Sequence, residues 1–185
     1  MTRIGGIRMA DATRAEFDDS TSANDLRELA KRPRVRVLQC STPVRDAVWS
    51  LINEHFCPVR PDVELRVYGH YSSECDLRFV RLQSLPHVES FPGLTDSMAL
   101  RRIVVENLKG LRNFTALETA PVLEEFALLE GRTQTPQQLL PVLANPRVRR
   151  ISALFGSDRR NSEFSHLREE CGKADFDIWE PFKYQ

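Results

Sequence analysis

The chain has 185 residues, which is enough for one sizeable core or for a short array of stacked repeats. Its 26 basic and 26 acidic residues cancel. This balance argues against nucleic acid or an anionic membrane as the main partner, because both usually demand an excess of Lys and Arg. No run of 18 apolar residues occurs, and the N-terminus lacks the apolar core of a secretion signal. We therefore expect a cytoplasmic protein that does not contact a membrane.

The N-terminal part of the chain predicts a tail followed by a helix and a strand. Residues 1–20 are rich in Gly, Thr, Asp and Ser and show little periodicity, so we expect a mobile tail before a single domain over 21–185. A helix is predicted over 22–30, where Ser22 can cap the N-terminus. A strand is predicted at 34–38.

A second helix and a second strand follow. The helix is predicted over 43–56, where apolar residues recur at helical spacing. Strict alternation at 63–68 then predicts a strand. The next predicted strand begins so soon afterwards that two alternatives remain for 63–82, a truncated parallel unit or a hairpin. The column of charged residues across the predicted sheet also runs through this region, which favours the truncated unit.

Four later stretches share one hydrophobic pattern, in which an apolar residue is followed by others three and five positions later. They are Leu77-Val80-Leu82, Leu100-Ile103-Val105, Leu123-Phe126-Leu128 and Val148-Ile151-Ala153. Their starts lie 23, 23 and 25 residues apart. A repeat of this length and pattern is typical of a leucine-rich repeat, in which each unit contributes one short strand to a parallel sheet.

The C-terminal part predicts two helices and a last strand. A threonine followed by proline indicates a helix beginning near 135, and Pro141 should kink or end its regular part. Another helix is predicted over 162–170. Alternation at 175–179 predicts a final strand whose inward residues are Phe176 and Ile178.

Over roughly residues 33–180 the chain resembles the leucine-rich repeat superfamily, because three consecutive units carry L-x-x-[VIF]-x-[LV]. The asparagine ladder of that family is absent, since the corresponding positions are Leu85, Leu108, Gly131 and Gly156. In this departure the chain is similar to an irregular bacterial variant of the family. The resemblance implies an α/β fold, a short solenoid with a curved parallel sheet of about six or seven strands. Helices and irregular arcs would lie on its convex side.

A short, irregular array of this kind also resembles small bacterial proteins found beside polymorphic toxin genes, which act as immunity proteins. That resemblance implies a module that binds and neutralises a cognate toxin domain. A generic intracellular scaffold or adaptor is the alternative. A nucleic-acid-binding protein or an enzyme is a third reading, and the adjacent Glu124 and Glu125 interrupt the basic stripe that nucleic acid would need.

Strand alternation assigns the residues between the buried positions to the concave face of the predicted sheet. Ten of them offer charged and aromatic surface suited to a protein partner: Arg66, Tyr68, Phe79, Arg81, Arg102, Glu106, Glu125, Arg150, Asp177 and Trp179. One column across the sheet is predicted to run Glu64, Phe79, Arg102, Glu125, Arg150 and Asp175. Cross-strand ion pairs of about 0.2–1 kcal/mol each are the structural alternative to a binding role.

The sequence contains no motif for catalysis or for a cofactor. It has no P-loop, GxGxxG, GxSxG or HExxH. His55 with Cys57 and His70 with Cys75 are close in the sequence only, and nothing else there marks a nucleophile with its base. We therefore expect no catalytic residues, no metal site and no cofactor.

Overall fold

The computed structural model describes residues 2–40, 42, 44–68, 79–84, 88–91, 94–95 and 99–180. The chain forms two compact units, Met1–Gln83 and Ser84–Gln185. The described residues contain four α-helices and nine strands, six in the first unit and three in the second. The predicted α/β class is confirmed, and the strand count exceeds the expected six or seven.

The first unit begins with three short strands: β1 (Arg3–Ile4), β2 (Ile7–Met9) and β3 (Arg14–Phe17). They pair in antiparallel order. Gly5 has a φ of +54° in the turn between the first two, a conformation that glycine adopts at little cost. The side chains of Ile7, Ala15 and Phe17 are buried. Residues 2–20, where we expected a mobile tail, thus contribute three strands and part of a core.

The helix predicted over 22–30 is observed as α1 (Ala23–Ala30). Ser22 is its N-cap and forms a capping box with Asp25, in which each side chain accepts the other residue's backbone N–H. Leu26 and Leu29 lie on the buried side of the helix. A capping residue and two apolar residues were enough to predict this helix. The capping box is made of residues close in the sequence, and it satisfies backbone N–H groups at the start of the helix.

The remaining elements of the first unit are one helix and three strands: β4 (Val37–Cys40), α2 (Asp46–His55), β5 (Glu64–Tyr68) and β6 (Phe79–Gln83). The strands from β3 to β6 are parallel neighbours in sequence order. The pairing of β5 with β6 is therefore parallel, as in the truncated unit, and the hairpin alternative is wrong. Residues 69–78 between them, including Leu77, lie outside the described part.

The second unit has three parallel strands in sequence order: β7 (Arg102–Glu106), β8 (Glu125–Leu129) and β9 (Arg150–Ala153). The helix predicted near 135 is a 3-10 turn, Pro136–Leu139, that continues into α3 (Leu140–Ala144). Pro141 lies in the first turn of α3, where its missing N–H costs nothing. The last helix, α4 (Asp158–Glu170), begins four residues earlier than predicted.

The strand register confirms the inward positions of the repeat. Ile103 is opposite Phe126, and Phe126 is opposite Ile151. The described members of the three-and-five pattern are all buried: Val80, Leu82, Leu100, Ile103, Val105, Leu123, Phe126, Leu128, Val148, Ile151 and Ala153. The pattern predicts burial correctly because each unit places the same three side chains on the same side of its strand.

Three polar side chains each link two stretches of the chain that are separated by the same interval. Each donates to two backbone carbonyls that lie 25 and 28 residues earlier in the chain, at 2.6 to 3.0 Å. The three donors are Arg60, Asn145 and Lys173. Each donor precedes a buried apolar residue by three positions. Backbone carbonyls in the arcs between strands thereby gain hydrogen-bond donors that strand pairing does not provide.

Candidate protein-interaction face

One side of the second unit's strands is the face that alternation assigned to binding. This β7–β9 face consists of Arg102, Val104, Glu106, Glu125, Ala127, Leu129, Arg150 and Ser152. The opposite side carries the repeat core. Because the strands are in register, Arg102, Glu125 and Arg150 form one column, as predicted.

Glu125 bridges two arginines from the neighbouring strands. One carboxylate oxygen accepts from Arg102 Nε and the other accepts from Arg150 Nη2. Arg102 is 7% exposed and Glu125 is 2% exposed. The structure therefore contains the ion-pair ladder that was the alternative to a binding role, and its centre is buried.

The burial has a specific cause. Residues 174–180, here called the C-terminal segment, lie on the β7–β9 face. Phe176 forms a buried apolar cluster with three side chains of that face, Val104, Ala127 and Leu129. Ile178 is partly buried and packs against the same cluster. A face that we expected to be open is thus covered by the chain's own C-terminal part.

Polar and cationic contacts hold the segment at both ends. Arg102 Nη1 donates to the Glu180 carbonyl at 2.8 Å, and Arg150 Nη1 lies 3.5 Å from a Glu180 carboxylate oxygen. Both guanidinium groups stand over the Phe176 ring, at 5.2 and 5.3 Å from its centroid. Asp175 forms an ion pair with Arg168 of α4. The ring therefore lies in a cationic and apolar pocket, a favourable site for an aromatic side chain.

The prediction of a final strand at 175–179 is wrong. Within residues 174–179, Ala174 alone bridges to β9, as an isolated parallel bridge opposite Arg150. Ala174, not Asp175, therefore continues the predicted column. The Asp177 carboxylate accepts the Trp179 N–H at 3.0 Å, a local turn that competes with strand pairing. Alternation identified the inward side chains but not whether the segment would extend the sheet or cover it.

The predicted binding residues of the second unit are found in three environments. Arg102 and Glu125 are buried, Glu106 and Arg150 are half-buried, and Asp177 and Trp179 are exposed. Glu106 ends β7, and its carbonyl accepts the Ser84 N–H at 3.0 Å. Trp179 is 66% exposed, the largest value among the exposed large hydrophobic residues of the described ranges.

In the first unit the predicted set is less open than expected. Arg66 is half-buried, and its Nε donates to a Glu64 carboxylate oxygen at 2.9 Å. Phe79 and Arg81 are buried, although alternation assigned both to an open face. Arg66 lies opposite Arg81 in the parallel pairing. The side chain of Tyr68 lies outside the described part of the structure.

The polar donors between repeats were missed by the sequence analysis, although a signal for them exists. Two of the three are followed by proline and then by a leading valine, in Arg60-Pro-Asp-Val63 and Asn145-Pro-Arg-Val148. The same spacing recurs in Arg32-Pro-Arg-Val35. A search for residues at a fixed offset before each apolar triplet would have identified these positions.

The described ranges contain neither a candidate metal site nor a helix that could span a membrane. No group of three or more His, Cys, Asp or Glu side chains there is arranged to hold a metal ion. No helix among the described residues combines the length and the apolar character needed to cross a membrane. In comparisons with known proteins, no family model, no curated protein and no solved structure matched the chain.

Proposed function

We propose that the chain is a protein-binding module of leucine-rich-repeat type, a short solenoid with a curved parallel sheet. In this proposal it acts in the cytoplasm as a bacterial immunity protein, which binds and neutralises a cognate toxin domain. The observation that carries the proposal is the C-terminal segment on the β7–β9 face. That face holds a stretch of polypeptide through Arg102 and Arg150, which alternation had assigned to binding, and through apolar side chains between them.

Repeated backbone geometry supports the solenoid. Three residues that are not glycine, Ser84, Asn107 and Glu130, have left-handed φ values of +53°, +51° and +49°. They lie 23 residues apart, and each directly follows a strand. Such a conformation is uncommon for residues with a Cβ atom. Its recurrence every 23 residues indicates that the chain turns in the same way after each of these three strands.

Surface chemistry supports a protein partner. Trp179 is exposed beside two carboxylates, Asp177 and Glu180. Aromatic side chains of this kind concentrate binding energy at protein interfaces. The two carboxylates beside Trp179 suit the rapid and specific association that neutralising a toxin requires.

The proposal is tested by affinity capture of the full chain from its source cell, followed by reconstitution with the purified partner. One dominant small partner, encoded next to this chain and inhibited by it, supports immunity. Many partners without inhibition support a scaffold. Turnover of a substrate by the chain alone would contradict both.

Variants at exposed residues address the interface in the same assay. Leu154→Ala, at an exposed residue directly after β9 and outside the C-terminal segment, should weaken capture of the partner at unchanged thermal stability. Val59→Ala, at an exposed residue of the first unit, is the matched control and should leave capture unchanged.

A further inference from the structure

Resting on the proposed function, we infer that the C-terminal segment is a displaceable occupant of the β7–β9 face. The partner protein then binds this face with an extended segment of the same chemistry. That chemistry is a buried aromatic residue flanked by carboxylates. The inference names the kind of sequence that the partner presents and the place where it binds.

The face accepts backbone as well as side chains. The Ile151 N–H donates to the Ala174 carbonyl at 2.9 Å, and the Ala174 N–H donates to the Arg149 carbonyl at 3.0 Å. A segment therefore enters by pairing with β9 and then crosses the strands. Entry through main-chain hydrogen bonds followed by side-chain pockets is a general way to bind an extended peptide.

Charge makes the face selective for acidic segments. The C-terminal segment, Ala-Asp-Phe-Asp-Ile-Trp-Glu, has three carboxylates in seven residues. Arg168 pairs with Asp175 at one end, and Arg150 lies beside Glu180 at the other. Arg102 donates to a backbone carbonyl, which any sequence can supply. A basic segment would oppose the same guanidinium groups, so the face discriminates by charge.

Phe176 is the main apolar anchor of the segment. It is buried against the face, whereas Ile178 is half-buried and Trp179 is exposed. The carboxylates that pair at the two ends belong to side chains that are 55% and 50% exposed, so these ion pairs are weak. A segment held by few buried contacts opens at a lower free energy than the core of the unit.

The chain is anchored directly before the segment. Lys173 Nζ donates to the carbonyls of Asn145 and Val148, at 2.8 and 2.7 Å. Release of residues 174–180 therefore leaves these bonds and the strand core in place. It uncovers the Arg102–Glu125–Arg150 ladder and the three apolar side chains of the face.

A tethered occupant lowers the apparent affinity of any competing segment. The tether gives the C-terminal segment an effective concentration of about millimolar. The apparent dissociation constant of a competitor equals its intrinsic value divided by the fraction of open face. Weakening the tethered segment should therefore tighten binding of a free peptide with the same sequence.

The test uses a fluorescent synthetic peptide with the sequence of residues 174–180 and the full-length protein, and it measures fluorescence anisotropy. Phe176→Ala should bind the peptide at least about tenfold more tightly than the wild type. The matched control is Phe164→Ala, which removes another buried phenylalanine of the same unit without touching the segment. It should bind the peptide as the wild type does. A peptide with Ala in place of its Phe should bind none of the three proteins.

A milder variant keeps the inference testable if Phe176→Ala does not fold. The double variant Asp175→Asn with Glu180→Gln removes the ion pairs at both ends and retains the aromatic anchor. It should bind the peptide about threefold more tightly than the wild type. Equal peptide affinity in the wild type and in every folded segment variant overturns the inference. Concentration-dependent dimers that exchange C-terminal segments would also overturn it, because the face would then serve a second copy.

Failure of the inference and failure of the proposed function give different results. If the chain captures and inhibits a partner but the peptide does not compete with that partner, the inference fails and the function stands. If the peptide binds as expected but no partner is found, the function fails. Competition between the peptide and the captured partner supports both.

Discussion

Arg102 and Glu125 form an ion pair across two neighbouring parallel strands, and their side chains are only 8% and 3% exposed. The same pair on an open face would contribute at most about 1 kcal/mol. Burial changes this relationship, because each charge has lost its water and depends on the other for compensation. The pair therefore makes the second unit sensitive to changes at a position that alternation alone assigned to solvent.

Removing the shared carboxylate should strongly destabilise the second unit. We expect Glu125→Gln to lower the free energy of unfolding by about 3 kcal/mol, because two arginines lose their common partner. The matched control is Glu124→Gln at the adjacent residue, whose ion pair with Arg101 is about one-third exposed. The control should cost less than about 1 kcal/mol. Urea unfolding measures both, and equal losses would contradict the buried ladder.

Exchanging the charges of the central pair should fail to restore stability. In the double variant Arg102→Glu with Glu125→Arg, the new arginine would lie beside Arg150, which now pairs with Glu125. Like charges at this distance repel. We expect the double variant to be at least about 2 kcal/mol less stable than the wild type in urea unfolding. Adding Arg150→Glu should recover part of the loss, and the absence of any recovery would contradict a three-residue ladder.

Gln134 should stabilise the arc that follows β7. Its buried amide donates to the carbonyls of Leu108 and Leu111, at 2.8 and 2.9 Å. Gln134→Ala would leave both carbonyls without this donor, and we expect a loss of about 2 kcal/mol in thermal or urea unfolding. Gln137→Ala, at an exposed glutamine three residues later, should change stability by less than about 0.5 kcal/mol.

The N-terminal strands provide a test that separates a structured segment from a mobile tail. Ala15 is fully buried between β2 and β4, so Ala15→Asp should unfold the first unit or cost more than about 3 kcal/mol. A charge in a mobile tail would be tolerated. Ala12→Asp, in the exposed turn before β3, is the control and should change stability by less than about 0.5 kcal/mol. Circular dichroism melts measure both variants.

The Asp25 carboxyl should make the first unit less stable in acid. Burial acts to raise the pKa of Asp25, but hydrogen bonds with Ser22 and Gly6 outweigh it and hold the pKa below its ordinary value of 3.8. A pKa that is lower in the folded state adds stability above the unfolded value. That stability is lost as the pH falls through the folded value.

The pH window follows from this direction. At pH 7 we expect Asp25→Asn to be about 1–2 kcal/mol less stable than the wild type, because the charged acceptor is lost. The difference should shrink as the pH falls below 3.8. Asp158→Asn, at an exposed residue in the first turn of α4, is the control and should cost at most about 1 kcal/mol at pH 7. A difference for Asp25→Asn that is constant with pH would contradict the assignment.

The interior of the repeat could be predicted because its signal is periodic. Ile103, Phe126 and Ile151 recur at fixed offsets, and each repetition supports the others. The capped helix α1 could be predicted because a capping box is local. The strands β1 and β2 have two and three residues, too few for an alternating pattern to be distinguished from chance.

The open or covered state of the β7–β9 face could not be predicted from the repeat. Alternation defines two sides of a strand, but it does not say what lies on either side. Phe176 and Ile178 were correctly identified as inward residues of a final strand that does not form. Whether such a segment pairs at the edge or crosses the face depends on contacts between residues that are 47 to 78 positions apart, which no local pattern contains.

Sequential pairing has a consequence for how this chain can change in length. β8 pairs with the strands directly before and after it in the sequence, and the Asn145 side chain donates to carbonyls 25 and 28 residues earlier in the chain. A duplicated unit inserted between β8 and β9 would replace one strand pair by two equivalent ones. It would widen the β7–β9 face by one column position and leave the C-terminal segment covering a smaller share of it. In the proposed solenoid, duplication of one unit would therefore enlarge the uncovered surface without a new fold.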